Sequence, residues 1–313
     1  MAGGGPVSEL AEGLEQYLAL RRSLGYKLER SGQVLADFVA ELDNAGISHI
    51  STEVALSWAI DTTTPDSSWR AQRLGFVRGF ARYLHTVDPR NEVPPTRLVP
   101  RRRGRLVPYL FSAADIEALM GAAAQLRSPF QAQTMQTLIG LLAVTGLRVG
   151  EAIRLNRADI DFEAGIITVR DSKGNKSRHV PISASTGDAL LSYLTDWGCY
   201  FPEAKAALTT TTGTRLRSSN LGTLFAEVVS LAGLEAAKPQ RVLPRLRGLR
   251  HSFAVSALVG FYDSGRDVAA MLPVLSAYMG HVSPASTYWY LSASPELLAA
   301  AARRAATNLG GLQ

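Results

Sequence analysis

The groups in this chain with the most capacity for chemistry are cations set in short, punctuated motifs. Arg148 sits in TGLRVGE, just after a glycine and at the start of an expected helix. Lys173 lies in SKGNK, an expected tight turn between two strands. Arg247 and Arg250 are three apart in RLRGLRHSF, a spacing that puts them on one helix face. His281 follows Gly280, and Tyr290 comes nine residues later in GHVSPASTYWY, where Tyr288 and Tyr290 flank Trp289. Arginine takes phosphate oxygens through a planar, bidentate fork, whereas lysine is a strongly hydrated point charge. Taken singly, each residue has an ordinary structural explanation. An arginine near a helix start is mostly a surface charge, a hairpin lysine is mostly solvated, and a histidine after glycine often caps a helix.

Other chemistries find less support. Asp159 and Asp161 alternate in RADIDF, which suits a strand edge or turn better than a metal site. The sequence contains no HxxxH, no cysteine pair, no glycine-rich phosphate loop and no Gly-x-Ser-x-Gly elbow. No metal ligand is assigned and no cofactor is expected. The single cysteine, Cys199, makes no internal disulfide and, beside Trp197 and Tyr200, reads as an inert, partly buried thiol.

The elements that must position these groups fall into two sets. At 313 residues the chain is longer than one core tends to grow. The first hundred residues read as four helices: SELAEGLEQYLALRRSLG with Leu10, Leu14, Tyr17 and Leu18; GQVLADFVAELDNAG with Leu35, Phe38, Val39 and Leu42; STEVALSWAID with a capping signature, Val54 and Trp58; and SSWRAQRLGFVRGFARYLH with Leu74, Val77, Phe80, Ala81 and Leu84. Gly25 and Gly46 are the expected stops. Next comes RNEVPPTRLVPRRRGRLVPYLF, rich in proline and arginine, read as an extended linker or a strap across a polyanion. The second set opens at SAADIEALM, capped by Ser112 and Asp115, and continues in one apolar helix, QTMQTLIGLLAVTGLRVGEAIRL. GIITVRDSKGNKSRHVPIS reads as strand, turn and strand, LTTTTGTRLRSS as a polar loop, and helical patterns run on to the end.

Composition sets the background. Hydrophobic residues at 46% and charged residues at 19% describe a folded protein. The net charge of +6 rests mainly on arginine, which hints at a nucleic-acid partner, although a GC-rich genome produces the same bias. No apolar run reaches membrane-span length, and MAGGGPVSELAEG lacks a signal-peptide profile, so the cytoplasm is the expected location.

Together and in order, the cationic motifs resemble one family, the tyrosine recombinases, or phage-integrase-type site-specific recombinases. TGLRVGEAIRL is similar to the family's first arginine box, with Arg148 and Glu151. ITVRDSKGNKSRHVPIS is similar to its β-hairpin lysine box, with Lys173 at the catalytic position and Lys176 as the second lysine. RGLRHSFA matches the second arginine box through Arg250, and MGHVSPASTYWY matches the last box through His281 and Tyr290. The likeness spans about residues 108–300. One residue departs: Arg247 stands where the family usually has a histidine, and a guanidinium with a pKa above about 12 is no base near neutral pH. His251 lies on a different helix face and does not substitute.

The resemblance implies a mainly α fold: an N-terminal helical, SAM-like, four-helix core-binding domain over 1–95, a basic Pro/Arg linker over 96–108, and a catalytic domain over 109–313 that is mostly α-helical with a small antiparallel β-sheet. It implies DNA cleavage and religation through a 3′-phosphotyrosine, with neither metal nor ATP. Tyr290 would be the nucleophile, Arg148 and Arg250 the phosphate clamps, His281 a hydrogen-bond donor and Lys173 the general acid. Arg247 would hold a phosphate oxygen or orient the tyrosine, and Glu151 would orient an arginine or its helix. Tyr288 and Trp289 would pack the nucleophile's helix against the domain. Arg70 and Arg73 on the fourth helix, with Arg101, Arg102 and Arg103 in the linker, are the candidate DNA contacts. The expected partner is double-stranded DNA, bound by a homotetramer on paired sites and by a monomer or dimer when free, with accessory recombinases compatible and no membrane. PELLAAAARRAAT reads as a helix passed to a neighbouring subunit or packed on its own domain. A DNA-binding accessory protein that has lost the chemistry, and a type IB topoisomerase, remain as alternatives.

Overall fold

Small hydroxyl residues start the helices. Ser8 and Ser51 accept from the amides of Ala11 and Val54, satisfying donors that a helix N-terminus leaves open. The computed structural model describes residues 8–61, 67–100, 108–172, 176–234, 242–281, 287–288 and 295–310. It divides into two compact units, Met1–Arg105 and Leu106–Gln313.

The first unit holds α1 (Glu9–Ser23), α2 (Glu29–Asn44), α3 (Thr52–Ile60) and α4 (Ser67–His85). Their apolar stripes meet in one core: Leu10 and Leu14, Leu35 to Leu42, Trp58, and Leu74 to Leu84, with Phe38 and Phe80 fully buried. Truncating either phenylalanine to alanine should cost about 3–5 kcal/mol. Val99, expected in the linker, packs into this core instead. The carbonyls of Pro94 and Pro95 accept from the Arg78 fork at 2.7 and 2.8 Å, which fastens this stretch to α4. Residues 101–107, with Arg101, Arg102 and Arg103, lie outside the described residues.

The second unit begins with α5 (Ala113–Ala123), closed by the reciprocal Ser112–Asp115 box. The long apolar helix expected next is in fact two. α6 (Pro129–Thr145) stops at Gly146, whose φ is +60°, and α7 (Val149–Ala152) starts after Arg148. Gly146 has two reasons to be glycine: its left-handed backbone, and a Cβ there would collide with the Phe253 ring. A three-stranded antiparallel sheet follows in the order β1 (Ile160–Asp161), β2 (Ile166–Ser172), β3 (Lys176–Pro181). Its register pairs Ile167 with Val180 and Val169 with Arg178.

Among the described residues four further helices follow: α8 (Ala184–Asp196), α9 (Ser218–Leu231), α10 (Leu246–Asp263) and α11 (Val268–Tyr278). A last helix, Pro295–Gly310, packs on α10 of the same chain. Leu297 enters the apolar cluster there, Arg303 pairs with Asp263 at 3.1 Å, and Arg304 donates to the Arg266 and Gly265 carbonyls. Cys199 is exposed rather than partly buried: it sits in the short turn Gly198–Tyr200, with its Sγ donating to Asp196 O at 3.4 Å. No helix among the described residues is long and apolar enough to cross a membrane.

Candidate active site

The site is organised by one carboxylate. Glu151 is buried, with a side chain 1% exposed, one turn along from Arg148 on α7. Its Oε2 accepts the backbone N–H of Arg148 at 3.0 Å, and its Oε1 accepts Nη1 of the same residue at 2.5 Å. Arg178 of β3 reaches both oxygens, Nη1 to Oε1 at 3.2 Å and Nη2 to Oε2 at 2.8 Å. Arg250 of α10 brings Nη1 to 3.9 Å of Oε2. Three arginines against one carboxylate leave an excess of two positive charges in a small, partly desolvated volume. Burial alone would raise the Glu151 carboxyl, but the Arg178 hydrogen bond, the Arg148 amide and the charges of both arginines outweigh it and hold the group at about 2.

Helix ends supply the rest of the frame. The last carbonyls of a helix lack partners and carry the negative end of its dipole, so they attract arginine. At the end of α11, Tyr278 O accepts from Arg178 Nε at 2.8 Å and Met279 O from Arg250 Nη2 at 2.6 Å. Gly280 O, just beyond, accepts from Arg148 Nη2 at 2.7 Å. Arg250 also donates to Gly146 O at the end of α6, at 2.7 Å. The glycines of TGLR and MGH therefore have matching jobs. Each has positive φ, ends a helix, and presents its carbonyl to an arginine.

His281 leaves this turn with Nδ1 2.7 Å from the hydroxyl of Thr287, which fixes the ring's orientation. Thr287 is fully buried. Tyr288 does not provide the packing expected of it: its ring is 51% exposed, and Thr287 is the residue that faces inward. Tyr290 and Trp289 lie outside the described residues, as do Lys173 and its turn; Ser172 pairs with Lys176 on either side of that turn.

The described site residues do not all converge. Arg148, Arg250 and the Gly280–His281 turn meet around Glu151. Arg247 is one turn before Arg250 on α10, yet it is exposed where Arg250 is buried, and it lines a groove with Val149, Phe225 and Leu246. In the first unit, Arg73 stacks 3.7 Å above the Trp58 ring and donates to Asp61 O at 2.6 Å, and Arg70 is half-buried. Sequence reasoning missed Arg178 and Thr287. The signal for Arg178 was available, since strand alternation puts it on the buried face with Val180. Among the described residues, no three His, Cys, Asp or Glu side chains gather as a metal site.

The chain as a whole has counterparts among known proteins. The sequence profile of the phage integrase family matches residues 110–296. The chain is 41% identical over 306 residues to the putative integrase/recombinase y4rB of Sinorhizobium fredii, covering 95% of this chain and 97% of that one. It is 28% identical over 234 residues to the tyrosine recombinase XerD of Caulobacter vibrioides, covering 73% and 72%. Among solved structures, the Tn1549 transposon integrase in complex with circular intermediate DNA superposes with a TM-score of 0.62 at 17% identity, over 89% of this chain and 94% of that one. The chain belongs to the phage integrase family and has the tyrosine recombinase fold.

Proposed function

We propose that this protein is a site-specific DNA recombinase that cuts and rejoins double-stranded DNA through a covalent 3′-phosphotyrosine. The observation that carries the reading is the cluster of Arg148 and Arg250 around Glu151, beside the turn that leads to His281. Two guanidinium groups with fixed backbones and an excess of positive charge suit the non-bridging oxygens of one phosphodiester.

The Tyr290 oxygen attacks phosphorus and its phenolic proton passes to solvent. A P–O bond forms to the tyrosine while the bond to the 5′-oxygen breaks, and Lys173 gives that oxygen its proton. Arg148, Arg250 and His281 stabilise the added charge on phosphorus. Arg247 contacts a phosphate oxygen or the tyrosine. The phosphotyrosine ester conserves the bond energy, so a 5′-hydroxyl from a second strand reverses the step without ATP. In this reading residues 1–95 form the core-binding domain, residues 96–108 the basic linker and residues 109–313 the catalytic domain. Arg70, the remaining edge of Arg73, and Arg101 to Arg103 bind DNA phosphates. Four protomers assemble on paired sites inside the cytoplasm.

A nicked suicide duplex tests this. Wild type should form a covalent adduct, and Tyr290→Phe should bind the duplex without forming one. Binding with no adduct from wild type at any salt concentration would instead favour a DNA-binding accessory protein, the reading that Arg247 motivates. Relaxation of plasmids without any specific site would favour topoisomerase action.

A further inference from the structure

We propose that Arg178 is a positioning residue for strand cleavage: from β3 it locks Glu151 and the Gly280 turn into the arrangement that aims Arg148 at the phosphate. The proposal rests on the recombinase reading above and adds a residue to it.

The geometry is a closed ring of three elements. Arg178 grips both oxygens of Glu151 as a fork, at 3.2 and 2.8 Å, so the carboxylate cannot rotate without breaking two bonds. The same carboxylate holds Arg148 by its side chain and by its amide. Arg148 then donates to Gly280 O, and Arg178 Nε donates to Tyr278 O two residues earlier at 2.8 Å. Gly280 closes the ring sterically. A Cβ there would lie 2.8 Å from Arg178 Nη1, and its φ of +65° disfavours any side chain.

The two arginines differ in access. The Arg148 side chain is 31% exposed, whereas that of Arg178 is 13% exposed and has Nε, Nη1 and Nη2 all engaged by Tyr278 O and Glu151. Arg178 also lies on the strand that leaves the hairpin turn, five residues after Lys173. One side chain thus links β3, the strand that follows Lys173 in sequence, to the proposed clamp. A lysine keeps the charge but cannot span both oxygens and a carbonyl with fixed angles.

The test uses the full chain and a double-mutant cycle. Single-turnover adduct formation on a nicked duplex and equilibrium DNA affinity are measured for wild type, Arg178→Lys, Arg148→Lys and the double variant. Arg178→Lys should slow adduct formation by about 10–100-fold, the size of a positioning error of roughly 1 Å, with affinity changed less than about threefold. The double variant should be no slower than Arg148→Lys alone, because Arg178 acts through Arg148. Losses that multiply, or a rate loss matched by an equal loss of affinity, would overturn the proposal. If Arg178→Lys does not fold, Glu151→Gln takes its place in the same cycle, with the same outcomes decisive.

A readout independent of activity is the Arg148 Nε–H resonance in protein labelled with 15N-arginine, assigned by its loss in Arg148→Lys. It should shift or broaden in Arg178→Lys (or in Glu151→Gln if that variant is used), and an unchanged resonance refutes the proposal. Wild type that forms no adduct would defeat the recombinase reading, while this resonance still decides the role of Arg178.

Discussion

Three arginines of the first unit and three of the second are used in opposite ways. In the first, guanidinium groups lie over aromatic faces: Arg21 on Tyr26 at 3.9 Å, Arg30 on Trp69 at 4.3 Å and Arg73 on Trp58 at 3.7 Å. In the second, Arg148, Arg178 and Arg250 point at oxygens, those of Glu151 and of helix-end carbonyls. A ring contacts the flat face of the ion and leaves its N–H edge for other partners. Oxygen partners engage the N–H edge itself and set its direction. At these positions the same residue type therefore serves as a stacked group with its edge left for other partners in one unit and as an aimed, rigid clamp in the other, although Arg78 shows that the first unit also aims a fork at carbonyls.

The comparison breaks most readily at its centre. Glu151→Ala leaves Arg148, Arg178 and Arg250 without their shared carboxylate, and should destabilise the second unit by about 3–5 kcal/mol in urea unfolding. Loss below about 1 kcal/mol would mean that the clamp is not rigid. Acid should separate the units next. The Glu151 carboxyl is held at about 2, against 4.5 for its ordinary value, so its stabilisation is complete above about pH 4.5 and drains away as pH falls towards 2. That window carries about 3 kcal/mol, and Glu151→Gln should flatten the corresponding part of the stability–pH curve. Gly280→Ala, which meets Arg178 and a left-handed backbone, should cost about 1–3 kcal/mol by thermal unfolding. The smallest effect belongs to the first unit. Arg73→Ala removes one stacking contact and one carbonyl bond, for about 1–2 kcal/mol, and should lower the salt slope of DNA binding by about 0.9, the loss of one phosphate contact. An unchanged slope would mean that Arg73 only packs on Trp58 and binds no phosphate.

Much of this was legible in the residues. The apolar stripes of α1, α2 and α4, the stops at Gly25 and Gly46 and the Ser112–Asp115 box follow from local rules, and the structure has them. Arg148, Arg250 and His281 could be singled out because their motifs are short and punctuated by glycine. What escaped depends on contacts distant in sequence. Arg178 meets Tyr278 across 100 residues, and no pattern around SRHVP announces a carbonyl that far away. The break at Gly146 was half legible: Arg148 could be placed at a helix start, but the apolar run around it reads as one helix, and the close approach of Phe253, which adds to the positive φ, is not visible in the sequence. Tyr288 was read as packing because Tyr290 has the family's spacing from His281 and the two face apart on a helix, whereas the buried side chain there is that of Thr287, held by His281.

The central claim is that this clamp serves one phenol, and the most direct measurement is mass-spectrometric mapping of the peptide left on a nicked suicide duplex after proteolysis. The account predicts a phosphotyrosine at Tyr290 that disappears in Tyr290→Phe and persists in Tyr288→Phe. An adduct on Tyr288, or none from wild type that binds the duplex, would contradict it.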